Sequence, residues 1–282
     1  MDLRRTAYYP VMNDPSAAPP HRPFHHTDDG FRNNYPAGWR RGSFWKWQRD
    51  RWIKGVAKPP PGGWRFPSEI PNRAWLRANR SEPTVTWLGH STFLVQIDGV
   101  NVLTDPHLSP RASPFKSLGP RRWMPPAIEV EALPHIDVAL VSHNHYDHLD
   151  EWTVTRLARQ AGGAPRYMVP LRLAAWFTRR GLDTVTELDW WQSYASNGLR
   201  LTFTPVQHWS ARSAWDRDRT LWGGWRLDHR DFSFFFAGDC GYSTSTTTLI
   251  NSRSIKRGFH PWSTLTAHGW SNLNAYQHRG RL

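Results

Sequence analysis

The segment His143-Asn144-His145-Tyr146-Asp147-His148 combines residue types and spacing that suit a metal site. Residues two apart in an extended segment point the same way, so His143 and His145 can reach one ion together. As the chain turns, Asp147 and His148 face a neighbouring position where a second ion can bind. Imidazole and carboxylate ligands suit zinc or a similar divalent metal.

The elements around this motif support that interpretation. An apolar, β-prone run from Ile136 to Val141 precedes it, and a helix-like segment, residues 150–160, follows it. A strand would therefore deliver a ligand-rich loop to the edge of a sheet. The alternative is a solvated, histidine-rich loop without metal. It is disfavoured because the ligand spacing and the strand-to-helix context agree.

Two distant strand ends offer further ligands. His208 follows the strand-like run Leu199 to Thr204, and Asp239 follows the short apolar run Phe232 to Phe236. Glycines beside the Asp239-Cys240 pair permit a tight turn. Alone, such a histidine is more typical of a loop, and such an aspartate of a turn. Together with the first motif, they predict one dinuclear site in which the carboxylate bridges two ions.

Longer strings carry a resemblance to a known family. They are TWLGHST at 86–92, LTDP at 103–106, SPRASP at 109–114, ELDWW at 187–191, HWS at 208–210 and FFAGD at 235–239. With the metal motif, they resemble the metallo-β-lactamase fold superfamily. Within it they resemble the branch that contains N-acyl-phosphatidylethanolamine-hydrolysing phospholipase D. The similarity extends over residues 35–243.

The resemblance implies a fold and a ligand set. The fold would be of the α/β class, an αββα sandwich with a missing or divergent C-terminal part. Two zinc ions are implied, the first held by His143, His145 and His208, the second by Asp147 and His148, with Asp239 bridging both. Asp147 and Asp239 would be the catalytic residues, and Tyr146 would face the substrate headgroup. Cys240 replaces the family's usual threonine, either as a soft extra ligand or, as we favour, as a small buried side chain.

The reaction that the resemblance implies is hydrolysis of a phosphodiester by a hydroxide held between the metals. The substrate would be an N-acyl-phosphatidylethanolamine-type phospholipid, and the products N-acylethanolamine and phosphatidic acid. One alternative is a nuclease or lactonase of the same superfamily. Another is an inactive, truncated fragment. Nucleic acid is the less favoured partner, because the chain shows no nucleic-acid module beyond its positive charge.

The chain divides into four expected regions. Residues 1–34, rich in proline, asparagine and histidine, are expected to be disordered, with His21, His25 and His26 as a solvated cluster. Residues 35–81 form a basic, tryptophan-rich arm, and residues 82–243 the hydrolase domain. Residues 244–282 show no family motif, and we expect a shifted reading frame or a truncated gene there. Family members carry in that region the histidine that completes the second zinc site, but none of its histidines, His260, His268 and His278, has the expected surroundings.

Composition narrows the partners and the compartment. The formal net charge is +13, which suits anionic lipid or nucleic acid, although arginine-rich genome composition explains it equally well. The arginine- and tryptophan-rich residues 39–52 predict an amphipathic helix that enters a membrane interface or packs on the sheet. One cysteine, no signal peptide and no apolar run of ~20 residues indicate a cytoplasmic protein. Peripheral contact with an anionic inner membrane face and a homodimer stay open.

Hydrophobic patterning predicts the secondary structure of the hydrolase region. Strands are expected at 85–88, 92–97, 102–104, 138–141, 167–169, 199–204, 222–227 and 232–236. Helices are expected at 154–160 and 171–179.

Overall fold

The computed structural model describes the parts of the chain that surround the predicted site. They are residues 22–36, 46, 49–50, 53–55, 61, 68–115, 117–230 and 232–241. The tail from residue 242 onward, His21 and most of the tryptophan-rich segment lie outside the described residues. In the described residues, no helix is long and apolar enough to cross a bilayer.

The first sheet is mixed and has six strands in sequence order. They are β1 (Thr84–Gly89), β2 (Thr92–Ile97), β3 (Val100–Thr104), β4 (Val138–Leu140), β5 (Arg166–Pro170) and β6 (Val185–Leu188). β1, β2 and β3 pair antiparallel, whereas β3 to β6 pair parallel. The carboxyl ends of β3 and β4 therefore meet at one edge, the edge at which such sheets place ligands.

The second sheet has four antiparallel strands in the order β10-β9-β8-β7. They are β7 (Ser193–Ser196), β8 (Leu199–Thr204), β9 (Gly224–His229) and β10 (Phe232–Phe236). Alternate residues of β8 point inward, because Leu199, Leu201 and Phe203 are buried while Arg200 is exposed. These side chains pack with the inward residues of the first sheet and form the main core between the two sheets.

Helices cover the outer face of the first sheet. α1 (Arg73–Ala78), α2 (Glu151–Leu157) and α3 (Ala174–Thr178) bury apolar side chains against it in two further clusters. α2 starts directly after the metal motif, and the Asp150 side chain caps it by accepting a hydrogen bond from the Thr153 amide. This two-sheet sandwich with packed helices confirms the predicted α/β class.

Most of the predicted elements are present. β2, β8 and β10 match the predicted bounds at both ends. α2 lies within the helix-like segment 150–160 and starts before the narrower range 154–160, because Asp150 caps it, and α3 is shorter than predicted. β6, β7 and α1 were not predicted. Their sequences, VTEL, SYAS and RAWLRA, carry no run of strong hydrophobic residues, so tertiary pairing decides their conformation.

Residues 22–36 pack against both the core and a loop of the second sheet. Phe31 is only 4% exposed and belongs to the main core. The Nε2 atoms of His25 and His26 lie 2.6 and 2.8 Å from the two carboxylate oxygens of Asp189. Composition predicted disorder here and a solvated histidine cluster. The structure corrects both expectations for these residues, because one buried ring and one carboxylate hold the segment in place.

Replacing Phe203 with alanine should destabilise the domain by about 3–5 kcal/mol, through lost burial and the cavity left behind. Phe203 is fully buried, and its ring centroid lies 4.7 Å from that of Trp225. Urea denaturation followed by circular dichroism measures the change. Phe115→Ala is the control, because Phe115 is 62% exposed and its loss should matter by less than about 0.5 kcal/mol. Equal stability of the two variants would contradict a core centred on Phe203.

Candidate metal centre

Three strand ends converge on the site. β4 leads into the His143 motif, β8 into the loop carrying His208, and β10 into the turn carrying Asp239. The Gly223 amide donates to the Ser142 carbonyl at 3.0 Å and ties the second sheet to the start of the motif. The Gly241 amide donates to the Gln207 carbonyl at 2.7 Å and joins the other two loops. Backbone contacts thus fix all three loops relative to one another.

Four side chains form the first ligand cluster, with ligand atoms within 4.8 Å of one another: His143, His145, His208 and Asp239. The Nε2 of His143 lies 2.8 Å from His145 Nδ1 and 3.2 Å from His208 Nε2. His208 Nε2 lies 3.6 Å from Asp239 Oδ2. Ligand atoms ~2.0–2.1 Å from a tetrahedral zinc lie about 3.3–3.4 Å apart, so the cluster fits one ion.

A second cluster lies on the other side of Asp239. His148 Nε2 is 3.3 Å from Asp239 Oδ1 and 3.7 Å from Asp147 Oδ2. One carboxylate oxygen of Asp239 therefore faces His208 and the other faces His148. The structure brings together all six residues that the sequence singled out as ligands, in the two groups expected. The bridging role of Asp239 stays a prediction.

The buried Nε2 atom of His148 indicates that a metal ion fits this site. His148 is fully buried, and its Nε2 has no hydrogen-bond partner, whereas its Nδ1 lies 2.6 Å from Asp105 Oδ2. A buried polar atom without a partner costs about 1–3 kcal/mol. A divalent ion next to Nε2 would remove that cost, and a histidine whose other nitrogen donates to a carboxylate is a typical metal ligand.

Burial sets the protonation states of the first cluster. It lowers the pKa of His145 to about 4 and that of His208 to about 3, so both imidazoles are neutral at pH 7. Burial alone would raise the pKa of Asp239, but the neighbouring imidazole of His148 holds it at about 2. Neutral imidazole and ionised carboxylate are the forms that bind metal, so no proton has to leave these three groups at neutral pH.

His148 differs in charge from the other ligands. Burial opposes its positive charge, but the carboxylates of Asp147, Asp105 and Asp239 together raise its pKa well above the usual value. Without an ion, this imidazole carries a proton that neutralises part of the acidic cluster. A bound cation takes over that role, so metal binding at the second cluster should release a proton.

Asp105 is the main supporting residue that the sequence analysis left without a role. It is fully buried and accepts hydrogen bonds from the Ser142 amide, the Ser142 hydroxyl and His148 Nδ1, at 2.7, 2.6 and 2.6 Å. These contacts fix the tautomer and the orientation of His148. A sequence signal was present, because Asp105 directly follows β3, just as Asp239 follows β10.

Asn33 supports His208 from the amino-terminal segment. Its side-chain amide donates to the His208 carbonyl at 2.7 Å, and its side-chain oxygen accepts from the His208 amide at 3.1 Å. The same oxygen lies 3.2 Å from Trp222 Nε1. The two residues are 175 positions apart, so no local pattern could have revealed the contact. Asn33 thus fixes the backbone that presents a predicted ligand.

Asn33→Ala should weaken metal binding at the first cluster by about 10- to 100-fold, the usual effect of losing an outer hydrogen-bond partner of a ligand. Competition against a chromophoric chelator measures the affinity. Arg32→Ala is a neighbouring control, because the Arg32 guanidinium contacts Phe24 rather than the His208 loop. Unchanged affinity in the Asn33 variant would show that the loop holds His208 by itself.

Tyr146 and Cys240 complete the residues named from sequence. The Tyr146 ring lies against the Arg212 guanidinium, 3.9 Å from its central carbon. Arg212 in turn donates to the carbonyls of Asn144 and Leu149, so it braces the metal motif. The headgroup contact of Tyr146 stays a prediction. Cys240 is only 6% exposed and packs in the main core, as a small buried side chain would.

The family assignment follows from comparison with known proteins. Residues 100–256 match the family described as the beta-lactamase superfamily domain. This match covers more than half of the 282-residue chain, so the chain belongs to that family.

Three known relatives match this chain over part of its length. An uncharacterised protein of Mycobacterium tuberculosis is 41% identical over 175 residues, covering 61% of this chain and 46% of that protein. N-acyl-phosphatidylethanolamine-hydrolyzing phospholipase D 1 of Caenorhabditis elegans is 40% identical over 166 residues, which cover 56% of this chain and 46% of the worm protein. The mitochondrial enzyme of the same name from Saccharomyces cerevisiae is 36% identical over 174 residues, which cover 60% of this chain and 36% of the yeast protein. The matched region therefore spans less than half the length of each relative.

Proposed function

We propose that this chain is a zinc-dependent hydrolase that cleaves the phosphodiester of N-acyl-phosphatidylethanolamine-type phospholipids. The observation that carries the proposal is the pair of ligand clusters that share Asp239, whose two oxygens face His208 and His148. The worm and yeast relatives, named for this reaction, support the choice of substrate. The predominance of imidazole among the donors favours zinc over magnesium or calcium.

The residues of the two clusters would each bind or support one of the two metal ions. His143, His145 and His208 hold the first ion, while Asp147 and His148 hold the second. Asp239 ties the two positions together and fixes their separation. When bound, the two ions supply a water that ionises near neutral pH and neutralise charge on the phosphoryl oxygens. Asp105 keeps His148 in the tautomer that leaves Nε2 free.

The substrate and the surface charge suggest where the reaction takes place. A phospholipid substrate is presented by a membrane, and a chain with net charge +13 is attracted to an anionic one. We therefore infer peripheral contact with an anionic membrane on its cytoplasmic side. Tyr146, next to the cationic Arg212, would face the lipid headgroup from within the metal motif.

The direct test combines metal content with product analysis. The purified chain is assayed for zinc per folded monomer and then incubated with N-acyl-phosphatidylethanolamine in anionic mixed vesicles. Two ions per chain and mass-spectrometric detection of N-acylethanolamine with phosphatidic acid are expected. An RNA oligonucleotide is included as a competing substrate. Cleavage of the RNA with no lipid product would reject the phospholipase proposal in favour of a nuclease, and absence of bound metal would reject both.

A further inference from the structure

His90, in the turn between β1 and β2, faces the second ligand cluster. Its Nε2 atom lies 3.2 Å from Asp147 Oδ2, and its ring centroid lies 5.1 Å from that of His148. Ligand atoms of these three residues all lie within 4.8 Å of one another. His90 therefore lies where a third side chain can join Asp147 and His148 in holding one ion.

The backbone at His90 adopts a conformation that needs an explanation. Its φ angle is 49°, in the left-handed region that few non-glycine residues occupy. The β1–β2 register shifts between Trp87 and Gly89, and Trp87 Nε1 donates to the His90 carbonyl at 2.8 Å. Irregularities of this kind re-aim a side chain, and they occur often at functional sites. Here they direct an imidazole into the ligand cluster.

The Nε2 atom of His90 has no hydrogen-bond partner in the second ligand cluster. His90 Nε2 is buried, and although Asp147 Oδ2 is 3.2 Å away, the pair lacks the geometry of a hydrogen bond. His148 Nε2 is likewise buried and has no hydrogen-bond partner, although Asp239 Oδ1 lies 3.3 Å away. Two buried nitrogens that lack hydrogen-bond partners lie beside the same carboxylate, so these donor atoms converge on a common point.

We propose that His90 is a ligand of the second metal ion, an inference that rests on the proposed function. His90, Asp147 and His148 then provide three protein donors, and Asp239 Oδ1 borders this group at 3.3 Å from His148 Nε2. Asp147 Oδ2 lies 3.2 Å from His90 Nε2 and 3.7 Å from His148 Nε2. A tetrahedral zinc separates its donors by about 3.3–3.4 Å, so these two distances fit one ion. The competing interpretation is that His90 only donates a hydrogen bond to Asp147.

Two substitutions that tolerate the left-handed backbone separate these interpretations. His90→Asn keeps a hydrogen-bond donor but is a poor zinc ligand, and asparagine is enriched in this conformation. His90→Gly removes the side chain and suits a positive φ. The metal-free protein, each variant and wild type are titrated with Co²⁺. Absorption spectra report the environment of each ion, and thermal unfolding confirms that each variant is folded.

Wild type should bind two Co²⁺ ions, whereas both variants should bind the first normally and the second at least 10-fold more weakly. Free imidazole should restore the second-site spectrum of the glycine variant and leave wild type unchanged. Wild-type affinity for the second ion in His90→Asn would overturn the assignment, and so would failure of imidazole to rescue His90→Gly. Binding of no ion by wild type would instead reject the proposed function itself.

Discussion

His143→Ala is expected to remove the first metal ion and the hydrolytic activity together. His143 is only 1% exposed, and its Nε2 lies within 3.2 Å of both His145 Nδ1 and His208 Nε2, at the centre of the first cluster. Because metal ions contribute several kcal/mol of transition-state stabilisation, hydrolysis should fall by on the order of 10³-fold or more. Inductively coupled plasma mass spectrometry measures the metal, and a phosphodiester assay on the same sample measures the rate.

His135→Ala is the matched control for this variant. His135 precedes β4 at its amino-terminal end, whereas His143 follows the strand at its carboxyl end. Its side chain is 33% exposed and lies 4.0 Å from Asp137, outside the ligand clusters. This control should keep both ions and near-normal activity. Retained phosphodiesterase activity in His143→Ala, with the protein folded, would refute the assignment of the site.

The proximity of the candidate ligands could be predicted because their sequence signals are local. His143, His145, Asp147 and His148 lie in six consecutive residues, and the strand before them shows its apolar character in sequence. His208 and Asp239 each follow an apolar strand, so their positions at a sheet edge could be inferred. Asp105 had the same kind of signal at the end of β3. Its carboxylate directly follows the last residue of the apolar strand, and that position is visible in the sequence.

The support from the amino-terminal segment could not be predicted. Residues 22–36 have the composition of a disordered segment, yet they are held by Phe31 in the core and by the contact of Asn33 with His208. Both contacts join residues far apart in the chain, and no periodicity records them. Local composition describes what a segment can do alone, whereas several contacts with distant parts of the fold can together order it.

The left-handed turn at His90 shows a different limit. Hydrophobic patterning predicted strands at 85–88 and 92–97, which are present as β1 and β2. Which way the turn aims its imidazole depends on the register shift next to Gly89, and that shift appears only when the strands are paired. The sequence therefore located His90 but did not show which way its side chain points. The direction is what makes His90 chemically relevant.

Gly238→Ala should both destabilise the domain and weaken metal binding. Gly238 has a φ of +60°, and a Cβ added there would lie 2.6 Å from the Cβ of Ser142 and 2.8 Å from its hydroxyl oxygen. Ser142 contacts both Asp105 and His143 Nδ1, so the clash reaches the support of both clusters. Left-handed strain costs about 1–2 kcal/mol and overpacking about 1–3 kcal/mol, so a total loss of roughly 2–5 kcal/mol in stability is expected.

The loss of metal should exceed what instability alone explains, because the turn that Gly238 forms carries Asp239. Displacing this turn moves a carboxylate that faces both His208 and His148, so both ions should bind more weakly. Gly181→Ala separates the two effects, since Gly181 has a similar φ of +69° and nothing within 4 Å of an added Cβ. That control should lose about 1–2 kcal/mol of stability and no metal. If Gly238→Ala kept two ions at wild-type affinity, the close approach of this turn to Ser142 would not be what positions the bridging carboxylate.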